Sequence, residues 1–286
     1  MFNLDTTATY GQITLETEAC AKTSKRAEWR RVYDCFSDIA RPGDVVFFIS
    51  ERPKDLRFSM LRRLYRKWQG FAEDDTSRWH TAMYTGSRKE SRGSATRPYF
   101  IHAIERGVEE IHIPPSYFTN ERSDSGEMVQ GGRIEVSKDP RMTPEQRVEI
   151  TACIRERLGQ PFANLDWKQD ILTWAIGLPA RKLDSNRASC HGIVFEAYEH
   201  VGYSFQNHLD TAPWFNIGRH LGHPVWGTRE KADLTKLHLH DHHLYRDPRF
   251  ICVLSIYEDQ ESGEIIIAQN PGKYSWNPEL QIKYGV

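Results

Sequence analysis

Cys190 opens a stretch, Cys190 to His200, in which Val194, Ala197, Tyr198 and Val201 recur at helical spacing and Gly202 supplies a stop. A thiol in the first turn of a helix feels the partial positive charge of unpaired backbone N–H groups, which favours thiolate. To act as a nucleophile it needs an imidazole to exchange its proton with, and a third polar group to hold that imidazole. His80 opens the run His80-Thr-Ala-Met-Tyr84, and His102 lies in Tyr-Phe-Ile-His102-Ala. Both runs read as strands, and neighbouring antiparallel strands set such residues side by side, so one ring can orient the other. The chemistry of this set is acyl transfer through a thioester.

Other candidates carry weaker patterns. His191 follows Cys190 directly and so points elsewhere on the helix, as a residue of the pocket rim. Cys153 falls beside an apolar stripe and reads as core. In His238-Leu-His240-Asp241-His242-His243 the residue types are those of metal ligands, yet the run is polar, lacks partner thiols and reads as a loop. Trp167, Trp174, Trp214 and Trp226 read as packing residues.

These residues must be positioned by a mixed set of elements. Ala27 to Ala40 carries Trp29, Val32, Tyr33 and Phe36 on one helical face, and Arg41-Pro42-Gly43-Asp44 ends it as a turn. Val45–Ile49 is continuously β-branched and aromatic, the pattern of a strand buried on both faces. Further strands are expected at Thr81–Thr85, Tyr99–Ile104 and Glu109–Ile113, completing a small antiparallel sheet, with Gly86–Arg97 and Asn120–Gly132 as polar loops. Thr143-Pro144-Glu145-Gln146 is a capping box with proline at the first helical position, leading into a stripe of Ile150, Ile154 and Leu158 that Gly159 stops. Phe250–Tyr257 and Glu264–Ala268 read as a hairpin, added to the main sheet or forming an appended lobe. Between Arg52 and Trp68, the segment bearing Arg57, Arg62, Arg63, Arg66 and Lys67 reads as an amphipathic helix with solvated charges, the lesser options being a peripheral lipid contact or an acidic partner.

Composition narrows the function classes. A net charge of −1 over 286 residues gives no electrostatic case for nucleic acid as a partner. No apolar run approaches the length of a membrane span, so no transmembrane segment is expected. The N-terminal residues lack a secretory-signal pattern, which predicts a cytoplasmic protein or one exported by a signal-independent route. Five cysteines, Cys20, Cys35, Cys153, Cys190 and Cys252, without a C-x-x-C spacing argue against a disulfide framework and against a structural zinc site.

Five motifs carry a family resemblance. Arg-Pro-Gly43-Asp44-Val-Val-Phe-Phe, His80-Thr-Ala-Met-Tyr84-Thr-Gly86 and Phe100-Ile-His102-Ala103 resemble consecutive motifs of the NlpC-type papain-like peptidases. Leu158-Gly159-Gln160-Pro161-Phe162 is similar to that family's Leu-Gly-x-Pro-Tyr, and Ser189-Cys190-His191-Gly192-Ile-Val to its Asp-Cys-Ser-Gly segment. Both histidines precede the cysteine, whereas the common form has the cysteine helix first. The chain therefore resembles the circularly permuted branch, the YiiX/YaeF-like hydrolases related to lecithin:retinol acyltransferase, over roughly Arg41 to Tyr257; His243-Leu-Tyr-Arg-Asp247-Pro248-Arg-Phe250 fits the segment after the cysteine helix in that branch.

The resemblance implies an α+β protein of permuted papain-like fold: a helical extension over 1–40, a hydrolase domain with a helical insertion over 41–257, and a C-terminal hairpin and tail over 258–286. It implies Cys190 as nucleophile, His80 as general base and acid, and His102 as the residue that orients His80, with the Cys190 N–H contributing to an oxyanion hole. Many permuted members carry glutamate where this chain has His102, which leaves Glu105 as the reserve for the third role. Strand alternation puts Glu105 on the opposite face from His102. No cofactor and no metal are called for. The implied substrate is a peptide or acyl-amide, first among them peptidoglycan fragments. The alternatives are a lipid ester or acyl-amide hydrolase or acyltransferase using the same residues, and a catalytically inactive binding module. Peptidoglycan lies outside the cytosol, so the substrate is either intracellular or met by an exported protein such as a secreted effector.

Overall fold

A computed structural model of the chain describes residues 25–51, 77–89, 96–104, 106–113, 121–122, 128–129, 132–162, 189–205, 241–259, 261–275 and 281–282. Helix α1 (Lys25–Ile39) leads through the Arg41–Asp44 turn into strand β1 (Val45–Glu51). There follow β2 (Ser77–Lys89), β3 (Thr96–Ile104), β4 (Gly107–His112), the two-residue pair β5 (Glu121–Arg122) and β6 (Met128–Val129), and β7 (Arg133–Lys138). Helices α2 (Pro144–Arg155), α3 (Cys190–His200) and α4 (Asp241–Arg246) precede the hairpin β8 (Ile251–Glu258) and β9 (Ile265–Gln269). The main sheet has seven strands in the order β4-β3-β2-β1-β7-β8-β9, each neighbour antiparallel. The fold is α+β.

Strand alternation divides the apolar residues into two cores. Val45, Phe47, Ile49, Met83 and Ile101 meet α2, α3 and α4 through Ile150, Ile154, Val194, Tyr198 and Leu244. On the other side Val46, Phe48, Ala82, Tyr84 and Phe100 meet Val32, Tyr33 and Phe36 of α1. Every residue from Val45 to Ile49 is buried, as expected of a central strand covered on both faces.

The turn before β1 joins these layers. Gly43 takes φ +90°, and a side chain there would meet Ile150 Cγ2 at 3.3 Å, so both backbone and space call for glycine. Its N–H donates to Tyr84 O (2.8 Å) and its carbonyl accepts the Tyr198 hydroxyl (2.6 Å), tying the turn to β2 and to α3. Asp44, fully buried, accepts the Arg41 N–H (2.8 Å) and the Arg147 guanidinium (2.6 Å). Desolvation raises the Asp44 pKa and Arg147 opposes that rise. At the β4 edge the Leu158–Phe162 segment docks by its backbone: Gly159 N–H donates to Val108 O and Val108 N–H to Gln160 O, both at 2.9 Å. A Cβ on Gly107 would stand 2.6 Å from Gln160 O.

Several expectations are corrected. The sheet is not small, because Arg133–Lys138 is a strand between β1 and β8, and β8 with β9 completes one continuous sheet. That strand escapes a periodicity reading because its inward positions include Glu135 and Ser137, both fully buried, with Tyr245 Oη donating to Glu135 Oε2 (2.5 Å). Asn120–Gly132, expected as a loop, contains the β5–β6 pair. Leu158 is exposed rather than part of the α2 stripe. Asp241–His243, read as part of a polar loop, instead opens the helix Asp241–Arg246. The basic segment Arg52–Trp68, Cys20, Glu105, His238, His240, the four tryptophans Trp167, Trp174, Trp214 and Trp226, and the helical insertion lie outside the described residues.

The turn generates a stability prediction. Arg147→Met leaves the Asp44 carboxylate buried without its counter-charge and is expected to cost about 3–5 kcal/mol. Asp44→Asn combined with Arg147→Met restores most of that loss, because no unpaired charge remains. Urea unfolding midpoints of parent, single and double variant measure the difference; a single variant as stable as the parent would count against the pair.

Candidate active site

Ser189 caps α3: its Oγ accepts the Gly192 N–H at 3.1 Å, in extended backbone geometry, and a Cβ on Gly192 would stand 2.6 Å from that oxygen. Cys190 is thereby the first helical residue. The backbone N–H of Thr81 in β2 lies against the Cys190 sulfur, with those of His191 and of Cys190 itself, and favours thiolate. The β2–β3 ladder begins at Ala82 and His102, so beyond that pair the Thr81 N–H has no β3 partner. The residue next to His80 thus brings a backbone N–H to the catalytic candidate.

The two imidazoles meet as expected from their strands. His80 faces Phe48 across the β1–β2 pair, ring centroids 5.6 Å apart, and His80 Nε2 lies 2.9 Å from His102 Nδ1. His102 is 1% exposed, and its Nε2 lies 3.4 Å from Glu109 Oε1 on β4, directly opposite it in register. Arg106 donates to the same carboxylate at 3.2 Å. With Glu109 as acceptor, His102 carries its proton on Nε2 and offers Nδ1 as acceptor; His80 then carries its proton on Nε2, leaving its Nδ1 lone pair as the basic one.

On the other side of the sulfur stand His191 and Asp241. His191 Nδ1 is 3.8 Å from Cys190 Sγ and 3.9 Å from Asp241 Oδ1, and the three donor atoms lie within 4.8 Å of one another. Thr81 donates its hydroxyl to Asp241 Oδ1. Asp241 opens α4 and is buried there. His191, expected at the rim and pointing away, instead has its ring on the thiol.

Electrostatics favour uncharged partners. Desolvation and the negative charge of Asp241 push the Cys190 thiol up to about 12, against the backbone N–H groups of Thr81, His191 and Cys190 that stabilise thiolate. Desolvation, reinforced by His102, lowers His80 to about 4, and desolvation lowers His102 against the opposing pull of Glu109. Dehydration and Asp241 thus outweigh the helix end that was expected to favour thiolate, and both His80 and His102 are held toward the neutral form.

The structure thus joins His80 to His102 and joins Cys190 to Thr81, while no hydrogen bond links Cys190 Sγ to His80 among the described residues. Glu109 and Asp241 are the polar residues that sequence reasoning missed. The signal for Glu109 was its place on the strand beside His102; Asp241 gave none beyond its acidic type within a histidine run. Of that run, His243 is buried in α4. No protein-family model matches the chain, and no match to it was found among curated proteins.

The His80 shift sets a pH dependence. Between about 6.5 and 4 the unfolded chain binds a proton on His80 that the folded chain refuses, so stability falls as pH drops through that window. His80→Phe keeps a ring against Phe48 and should flatten this slope. Thermal midpoints of parent and variant across the window measure it; an unchanged slope removes His80 as its origin.

Proposed function

We propose that the chain is a thiol hydrolase of permuted papain-like fold that cleaves an amide bond through an acyl-enzyme on Cys190. The observation that carries the proposal is the Thr81 N–H on the Cys190 sulfur, which fixes a helix-start thiol beside a strand whose preceding residue, His80, is backed by His102 and Glu109. In the forward step Cys190 Sγ bonds to the substrate carbonyl carbon and its proton passes to His80 Nδ1. The Cys190 N–H, at the positive end of α3, faces the oxyanion that forms. The C–N bond then breaks and His80 returns its proton to the departing amine. Water attacks the thioester with His80 again as base, releasing the acid and the thiol.

His102 and Glu109 act through His80, by fixing its tautomer and orientation. A second reading of the base rests on a specific contact: His191 Nδ1 at 3.8 Å from the sulfur, close to Asp241. The resemblance favours His80. Peptidoglycan stem peptides are the proposed substrate class, since the five motifs resemble those of peptidases acting on that polymer.

Muropeptides and, separately, phospholipids incubated with the protein test the proposal by intact mass. A muropeptide-derived acyl adduct on Cys190, with cleaved product that Cys190→Ala does not form, is the expected result. Adducts from phospholipid alone would replace the substrate class, and no adduct or product from either would leave a non-catalytic scaffold. His80→Ala should lower turnover by about a thousandfold or more, and His102→Ala by less, with His102→Gln restoring part of the loss. Loss in His191→Ala with an active His80→Ala would transfer the base to His191.

A further inference from the structure

The residues around the thiol carry a second kind of chemistry. Cys190 Sγ, His191 Nδ1 and Asp241 Oδ1 converge, with sulfur to nitrogen 3.8 Å, nitrogen to oxygen 3.9 Å and all three within 4.8 Å. It is the same nitrogen, Nδ1, that faces both sulfur and carboxylate. A proton relay through an imidazole uses its two nitrogens in series, so this convergence does not have the form of a relay. It has the form of a coordination site, in which three donor atoms of metal-ligand type gather within 4.8 Å of one another.

We propose that Cys190, His191 and Asp241 bind one zinc-class divalent cation, and that the bound ion switches off the thiol. The consequence for activity rests on Cys190 being the nucleophile; the binding itself does not. Zinc holds sulfur at about 2.3 Å and nitrogen or oxygen at about 2.0–2.2 Å, which spaces tetrahedral ligands about 3.4–3.6 Å apart. The sulfur–nitrogen and nitrogen–oxygen distances exceed that by a few tenths of an ångström, and sulfur and carboxylate oxygen lie within 4.8 Å of each other. A thiolate, an imidazole and a carboxylate suit zinc and its neighbours in the first transition row, whereas magnesium and calcium take all-oxygen sets. Three protein ligands leave a fourth position for water.

The surroundings favour such a site. The donors come from the starts of two helices, α3 and α4, both packed on β2. Thr81 reaches two of the three ligands, donating its N–H to the sulfur and its hydroxyl to Asp241 Oδ1. That is the role of an outer partner that orients ligands for a metal. Coordination replaces the S–H bond with a sulfur–metal bond and passes the proton to buffer. The sulfur lone pair that would attack a carbonyl is then committed to the ion, and removal of the ion by a chelator returns it.

Metal-free full-length protein titrated with zinc by calorimetry tests the binding, and cobalt(II) in place of zinc reports the ligands by its absorption spectrum. The expected results are one equivalent of zinc bound, a thiolate-to-cobalt charge-transfer band that prior alkylation of Cys190 abolishes, and affinity weakened by about tenfold or more in Asp241→Asn and in His191→Ala. Calcium should not compete. The cobalt spectrum needs no substitution and so stands even where a variant fails to fold. Absence of the band, or affinity unchanged in both variants, overturns the site. Zinc bound at one equivalent without suppressing acyl-enzyme formation overturns the switch. Zinc binding in a protein that forms no acyl-enzyme when metal-free leaves the site standing and removes the hydrolase reading; acyl-enzyme without zinc binding does the reverse.

Discussion

A backbone donor buried in a strand must find an acceptor, and the Thr81 N–H is such a donor: the residue is fully buried and the β3 ladder stops short of it. The sulfur of Cys190 answers that need. That contact joins the start of α3 to β2, while at the other end of the helix the Tyr198 hydroxyl reaches Gly43 O. The helix is held at two points eight residues apart along the chain, and the second point is itself braced by the buried Asp44–Arg147 pair. Position of the thiol follows from these contacts rather than from its immediate neighbours in sequence.

The electrostatics leave the Cys190 thiol and the His80 and His102 rings uncharged at rest. Dehydration works against thiolate and imidazolium alike, so charge separation has to accompany the arrival of a carbonyl group rather than precede it. Glu109 is placed to make this affordable for His80 at a distance, through His102, while Asp241 opposes negative charge on the sulfur. Asp241 also favours positive charge on His80, so it opposes one end of the proton transfer and assists the other.

What sequence patterns reveal depends on how far apart the interacting residues are. The Thr143–Gln146 capping box is legible because it closes within one helical turn, and both of its reciprocal hydrogen bonds are present. The central strand Val45–Ile49 is legible because burial on both faces leaves an unbroken apolar run. His80 and His102 are legible as a pair because consecutive strands bring them together. Glu109 is not, since its opposition to His102 depends on the register of the β3–β4 pair, which closes through a turn at Gly107. Glu135 and Asp241 are the hardest cases: acidic residues mark a surface unless a partner is known, and theirs, Tyr245 and Thr81, lie 110 and 160 residues away in sequence. The helix α4 that carries Asp241 is short and polar, without the apolar stripe that periodicity needs.

The backbone exchange between Val108 and the Gly159–Gln160 pair has a meaning for how molecules of this chain meet one another. β4 ends one side of the sheet, and the outward N–H and C=O of an edge strand form a template on which a strand from another molecule can add. Here both groups of Val108 are already engaged by the same chain, in a geometry that leaves Gly107 no room for a side chain. The segment works as a guard against self-association along that edge, so damage to it would register as aggregation before it registered as loss of fold.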